Sequence, residues 1–387
     1  MSFRGSRKSP FVLQRLRFPV ERSAGRRYPE PEHPYRNGFQ RDRDRIIHAR
    51  AFRRLEAKTQ VFTPGLSDHF RNRLTHTIEV WQIARTSASV LGLDEDLTET
   101  LALVHDIGHP PFAHAGEEEL NRQVKRFGDR FDHNIHALRI VEKFEQRYAR
   151  FPGLNLTFEV REGMAKHSRD FAPGEIPELD EYLPGKRPPL EAQLIDLSDE
   201  IAYNTADLDD GFSAHLFTAE QVAEEVPRYA EIYEIIETQF PGATLRERFY
   251  EALRQLIDAL VSGLIEGTVE RAAQSGASTS DEVRECPHRL AAFTSAAAIS
   301  SRELKSFLHR HVYSSSVLDE ERRRATGMMA ELFEFFLEHP DRLPDSYRET
   351  AAGEAPHRVV CDYIAGMTDA FFHRTYEQML SATPPRR

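Results

Sequence analysis

The sequence predicts an all-α protein: a helical core with a C-terminal helical extension. Three observations carry this. Apolar residues recur every three to four positions in segment after segment, Gly, Pro and Asp punctuation separates those segments, and almost no stretch alternates as a strand would. With 387 residues and no internal repeat, the chain can bury a sizeable core, as two domains or as one large helical domain with an extension. We expect a flexible basic arm over residues 1–36, the core over 37–215, and a helical region over 216–387 that packs on it.

Charge and cysteine usage bound the function. A net charge of -11 opposes general nucleic-acid binding, yet residues 1–28 hold eight Arg or Lys against the single acid Glu21. Such a tail is most often a solvated arm, with an anchor for single-stranded nucleic acid or a neighbouring subunit as the sharper reading. Cys286 and Cys361 are far apart and lack CxxC spacing, which excludes a disulfide framework or a Cys-zinc site and suggests a cytoplasmic protein. No apolar run reaches membrane-spanning length, and the basic start lacks the apolar core of a signal peptide.

In chain order, residues 1–36 are rich in Arg, Pro, Gly and Ser and are expected to be unstructured or draped over the surface. Phe39–Val61 reads as an intensely charged helix with Ile46, Ile47, Phe52 and Leu55 on its apolar side, its arginines forming either a phosphate-facing wall or a solvated face. Thr63-Pro64-Gly65 marks a turn. Arg73–Val90 follows as a helix with Leu74, Ile78 and Trp81 on one side and His76 among them. Gly92 closes it, and Asp94 caps the next helix, with Glu95 and Asp96 in the first turn.

Leu97, Leu101 and Val104 then carry His105-Asp106 to a last buried turn, which Pro110-Pro111 ends. A helix from about Ala113 sets His114 and Glu117 three apart on one face. Another helix follows Phe131–Asn134. Leu156–Val160 suggests a short strand, Arg161–Ser168 a helix, and Phe171–Leu190 a Pro-rich loop at a pocket mouth. Leu190–Leu208 is a strong helix in which Asp199, Tyr203 and Asp207 recur every four residues as a polar row lining a cavity. From Ala219 onward amphipathic segments alternate with short breaks, the last being Arg358–Leu380.

The chemistry concentrates in Leu103–Glu117, LVHDIGHPPFAHAGE, where three His and two carboxylates occupy fifteen positions. An adjacent His-Asp pair offers one imidazole nitrogen and one carboxylate oxygen, a mixed set that suits Mn, Fe, Co, Ni or Zn better than all-oxygen Mg sites. A lone His76 would be an ordinary core histidine, but beside His105-Asp106 it becomes a ligand candidate. Asp199 is the best-placed fourth ligand. A His held by a Glu, as His114 and Glu117 can be, is a candidate acid/base dyad.

The pattern H…HD…D, present as His76, His105-Asp106 and Asp199, resembles the HD-domain metal phosphohydrolases. The strings FRRLEAKTQVF, RLTHTIEV, HDIGHPPFAHAGE, LSDEIAYNTADLDDG and RVVCDYIAGMTD resemble the deoxyguanosine triphosphate triphosphohydrolase family, over roughly residues 36–380. The resemblance implies hydrolysis of a deoxynucleoside triphosphate, dGTP or a broader set, to deoxynucleoside and inorganic triphosphate. It also implies a divalent ion, manganese first, with magnesium, iron, cobalt or nickel as alternatives.

Carried over residue by residue, it makes His76, His105, Asp106 and Asp199 metal ligands and His114 with Glu117 the catalytic pair. Arg73, His109, His133 and, more weakly, Lys166 would face the phosphates, and Tyr203 and Asp207 the sugar. Relatives imply a homo-oligomer, dimer to hexamer, with a nucleotide effector as a further candidate partner. Two rivals stand beside this reading: an HD phosphohydrolase of nucleotide monophosphates or signalling nucleotides, and a nucleic-acid-binding regulator with a vestigial site.

Overall fold

The computed structural model describes residues 12–61, 70–350 and 352–380; the expected turn at Thr63-Pro64-Gly65 and the start of the basic arm lie outside them. The architecture is all-α, and the only β pairings among the described residues are two isolated bridges, Arg26 with Thr157 and Thr59 with Asn72. Helices α1 (Gly38–Ile47), α2 (Arg50–Arg54), α3 (Arg73–Leu91), α4 (Glu95–Val104), α5 (Ala113–Lys125), α6 (His133–Arg139), α7 (Phe158–Ala165) and α8 (Leu190–Ser213) build the first half. They are followed by α9 (Ala219–Glu225), α10 (Pro227–Gln239), α11 (Leu245–Ser275), α12 (Ser280–Glu285), α13 (Ser295–Leu308), α14 (Ser316–Glu338), α15 (Asp345–Thr350), α16 (Pro356–Ala365) and α17 (Asp369–Leu380). No helix among the described residues is long and apolar enough to cross a membrane.

Local signals set the helix ends. Asn72 caps α3 on the Thr75 amide, Gly92 leaves it in the left-handed conformation, and Asp94 caps α4 on the Leu97 amide. One core runs from Leu13 through α3, α4, α7, α8 and α11 to Leu318, so the apolar faces of the first and second halves are continuous. A second core joins Leu120 and Val124 of α5 to Met329, Phe333 and Phe336 of α14, Val360 and Ile364 of α16 and Phe372 of α17.

Several expectations are corrected. Residues 12–36 are no loose arm. Leu13, Leu16 and Phe18 are buried, the Leu13 amide donates to the Leu91 carbonyl, and Arg26 is held by Asp42 and the Gly38 carbonyl. The single helix expected over Phe39–Val61 breaks at His48-Ala49, where Glu145 accepts from the Ala51 amide and starts α2 anew. Its arginines face carboxylates rather than a phosphate: Arg43 pairs with Asp96 and Glu99, and Arg45 with Glu30.

Leu156–Val160 is no strand, because nothing ladders with it; Asp42 instead takes the Thr157 amide and hydroxyl, and α7 begins at Phe158. On α3 the expected apolar stripe is not the buried one. Ile78 is 46% exposed, whereas Arg73, His76, Thr77, Val80 and Ile83 face inward. The final segment also divides, at Gly366–Thr368, into α16 and α17.

Glu191, at the start of α8, is fully buried and ties three parts together, one of its oxygens accepting from the Phe18 and Asp94 amides at 2.9 and 3.0 Å. Burial pushes its pKa from 4.5 up to about 7. An acid raised in the folded state keeps a proton that the unfolded chain has already released, so its contribution to stability falls as pH rises from 4.5 through about 7. Glu191→Gln retains the accepting oxygen and is expected to flatten that window in urea unfolding, where the wild type loses up to about 1.4 kcal/mol per pH unit. Identical slopes in the two proteins contradict this assignment.

Candidate active site

Three helices that pack against one another, α3, α4 and α8, deliver the four expected ligands to one place. His76 enters from the buried face of α3, His105 and Asp106 from the end of α4, and Asp199 from α8 between the core residues Ile195 and Ala202. The turn after Asp106 needs Gly108, since a Cβ there would lie 2.0 Å from the His133 carbonyl oxygen. That approach sets the start of α6 against the His105–His109 turn.

His105 is fixed by its backbone. Its Nδ1 donates to the Ala102 carbonyl at 2.7 Å, which leaves the Nε2 lone pair aimed inward, buried and without a hydrogen-bond partner. Burial pulls its pKa down to about 4, so the ring is neutral near pH 7. Around that nitrogen lie Asp106 Oδ1 at 3.7 Å and Asp199 Oδ1 at 3.8 Å, and His76 Nε2 stands 2.8 Å from the same Asp199 oxygen. Burial disfavours both carboxylate charges. Arg73 above all holds Asp106, and His167 and His76 hold Asp199, well below the usual carboxylate range. A neutral imidazole with an orphaned lone pair, beside a second imidazole and two ionised carboxylates, fits a divalent ion.

His109, His114, Glu117 and His133 form a second group on the α5 side. His109 lies 2.9 Å from Asp106 and stacks on His133 at 3.9 Å between ring centroids. Glu117 mainly serves His133, accepting from its ring Nδ1 at 2.8 Å and its backbone amide at 2.9 Å. His114 is 80% exposed and stands 3.6 Å from the other Glu117 oxygen, longer than a hydrogen bond. The expected His114–Glu117 pair is therefore a set of three, with His133 the more tightly held imidazole. Burial opposes charge on both partners, but the contact with Glu117 raises the His133 pKa, and His114 and His133 keep Glu117 ionised. His114 follows two consecutive non-Gly residues in the left-handed region, Phe112 at φ 64° and Ala113 at φ 54°. Such a residue costs about 1–2 kcal/mol, so neighbouring contacts must hold the turn.

The polar row of α8 points the same way. Asp207, one turn beyond Tyr203, is buried with its pKa pushed up to about 7, and accepts from the Tyr313 hydroxyl. Lys305 Nζ lies 5.4 Å from the Tyr203 ring centroid. Arg73, expected at the phosphates, donates to Asp106 at 2.7 Å. Lys166 is not brought to the site as a free cation: Glu162 and the carbonyls of Leu183 and Lys186 take its ammonium at 2.9, 2.9 and 3.0 Å. Its three donors are thereby used, and the 171–190 loop folds over it. Arg358 pairs with Asp129 and the Arg130 carbonyl, bracing α16.

Sequence reasoning missed His167 and Tyr313. His167 is buried at the end of α7, its Nε2 3.7 Å from Asp199 Oδ2 and its ring 5.2 Å from that of His105. Its signal was the one His in the helix expected over Arg161–Ser168, next to Lys166.

Comparison with known proteins agrees with this arrangement. The HD-domain profile matches residues 73–204, which contain all four ligand candidates, and the phosphohydrolase-associated-domain profile matches residues 291–378. A deoxyguanosinetriphosphate triphosphohydrolase-like protein of Caulobacter sp. (strain K31) is 45% identical over 94% of this chain and 95% of its own length. Relatives with the same name from Geobacter sulfurreducens and Brucella canis are 44% and 42% identical, covering 92% and 94% of this chain and 93% and 94% of theirs. The chain belongs to the deoxyguanosinetriphosphate triphosphohydrolase-like family of HD-domain phosphohydrolases.

Proposed function

We propose that the protein hydrolyses deoxynucleoside triphosphates, dGTP or a broader set, to the deoxynucleoside and intact inorganic triphosphate, with manganese as the native ion. The observation that best supports this is the row Asp199, Tyr203, Asp207, which puts a ring and an acceptor suited to a deoxysugar one and two turns from a metal ligand. The chain's relatives, named deoxyguanosinetriphosphate triphosphohydrolase-like proteins, support a nucleotide substrate.

In this reading His76, His105, Asp106 and Asp199 hold the ion, and His167 steadies the outer oxygen of Asp199. A divalent ion there supplies positive charge against the α-phosphate and lowers the pKa of nearby water. His109 meets the phosphates, and Arg73 sets the Asp106 carboxylate. Water attacks the α-phosphorus, the bond from phosphorus to the 5′-oxygen breaks, and that oxygen leaves with a proton. His114, Glu117 and His133 are the proton-handling set, because Glu117 favours the charged form of His133 and stands beside a second, solvent-reaching imidazole. Tyr203 closes the space a 2′-hydroxyl needs, and Asp207 accepts from the 3′-hydroxyl.

The direct test incubates the protein with each dNTP and NTP plus Mn or Mg and resolves triphosphate from pyrophosphate and phosphate. Triphosphate from dNTPs supports the reading; orthophosphate or pyrophosphate, or turnover of monophosphates alone, overturns it. His105→Ala or Asp106→Ala is expected to lose ion and turnover together, as read by elemental analysis of the purified variants, and full occupancy with normal turnover would remove them from the ligand set. His167→Ala should keep the fold but weaken Mn binding by about 10- to 100-fold in a competition titration, and an unchanged affinity would separate it from the ion. Tyr203→Ala should narrow the deoxy-to-ribo ratio in kcat/KM even if both rates fall, whereas an unchanged ratio in an ion-binding variant assigns the ring another role.

A further inference from the structure

Two of the sequence strings, FRRLEAKTQVF at 52–62 and RVVCDYIAGMTD at 358–369, supply no group to the chemistry above. They meet at the turn before His114. Arg54 donates to the Gly366 carbonyl at 2.7 Å. Lys58, 3% exposed, donates to the His109 carbonyl and, at 3.1 Å, to that of Ala365. Asp369, the first residue of α17, accepts from the Thr59 amide at 2.7 Å through one oxygen and from the Phe112 amide at 3.2 Å through the other. The Phe112 ring meets the buried Phe372 edge-on, with centroids 5.0 Å apart. Gly116 completes the fit, since a Cβ there would lie 1.9 Å from the Pro111 carbonyl oxygen.

Phe112 and Ala113 have positive φ without the licence of glycine, so the turn has that shape only while its surroundings impose it. Asp369 is well suited to impose it. An ionised carboxylate accepts through both oxygens, so it joins the Thr59 and Phe112 amides in one contact, which a side-chain amide cannot do for both.

We propose that Asp369 is a positioning residue: from the C-terminal helix pair it fixes the left-handed turn that aims His114, so the proton-handling group is in register only while α16 and α17 are docked. This rests on the reading of His114 given above. The ion ligands sit on α3, α4 and α8; the clamp touches this group only through backbone, the Arg73 amide donating to the Lys58 carbonyl at 3.1 Å, and none of the three helices bonds Asp369 itself, so releasing its carboxylate spares ion binding.

The experiment compares wild type, Asp369→Ala, His114→Ala and the double variant for triphosphate release, Mn affinity and amide exchange of residues 112–116. Asp369→Ala should lower kcat by about 10- to 100-fold with KM little changed, as expected for a misplaced reacting group. Mn affinity should stay within about twofold, and exchange in the turn should quicken by about tenfold or more. In the His114→Ala background the same substitution should change kcat by less than about twofold, since partners acting through one group are not additive. Asp369→Asn, which keeps one accepting oxygen, should lie between and serves as the variant if Asp369→Ala does not fold.

Unchanged exchange and turnover in Asp369→Ala overturn the inference, as does a full effect added on top of His114→Ala. Undiminished turnover in His114→Ala fails the reading of His114 instead, and with it this role of Asp369, while faster exchange would still report that the carboxylate holds the turn.

Discussion

The site depends on one hydrogen bond, from His105 Nδ1 to the Ala102 carbonyl. It fixes the tautomer, so a lone pair that water cannot reach points into the space between α3, α4 and α8. Two carboxylates share that space, and leaving both ionised and unpaired would be costly. Arg73 offsets Asp106, and His76 stands 2.8 Å from Asp199. Contact with Asp199 raises the His76 pKa against the effect of burial, so an ion and a proton compete for His76. The caps at Asn72 and Asp94 and the Glu191 staple matter because they hold the helices that carry these charges.

The chemistry is divided between two kinds of scaffold. The proposed ion ligands and sugar-facing row come from long, well-packed helices whose side chains are locked by the main core. The proposed proton-handling group comes from a strained turn, held by contacts from the second core and the C-terminal helices. A rigid ion site and a turn that depends on docking give the C-terminal region a part in the active site, beyond covering apolar surface.

Much of this was legible because it is local. Caps at Asp94, the break at Pro110-Pro111 and the spacing of His76, His105-Asp106 and Asp199 are written in neighbouring residues. What was not legible depends on distant partners. The inward face of α3 carries Arg73, His76 and Thr77, a buried polar face that lines the candidate site, so the apolar stripe misled. Glu117 chose His133 over His114 because the Gly108 approach brings α6 within reach. Leu156–Val160 has strand composition but pairs only through the isolated bridge from Thr157 to Arg26, and the 12–36 segment is ordered by carboxylates far along the chain, including Glu159 and Glu191.

The central claim is that this constellation cleaves between the α-phosphorus and the 5′-oxygen of a deoxynucleoside triphosphate. One turnover experiment in water enriched in heavy oxygen tests it most directly, with both products analysed by mass spectrometry. The account predicts a single heavy oxygen in the inorganic triphosphate and none in the deoxynucleoside. Label in the deoxynucleoside, or in released phosphate or pyrophosphate, would contradict it.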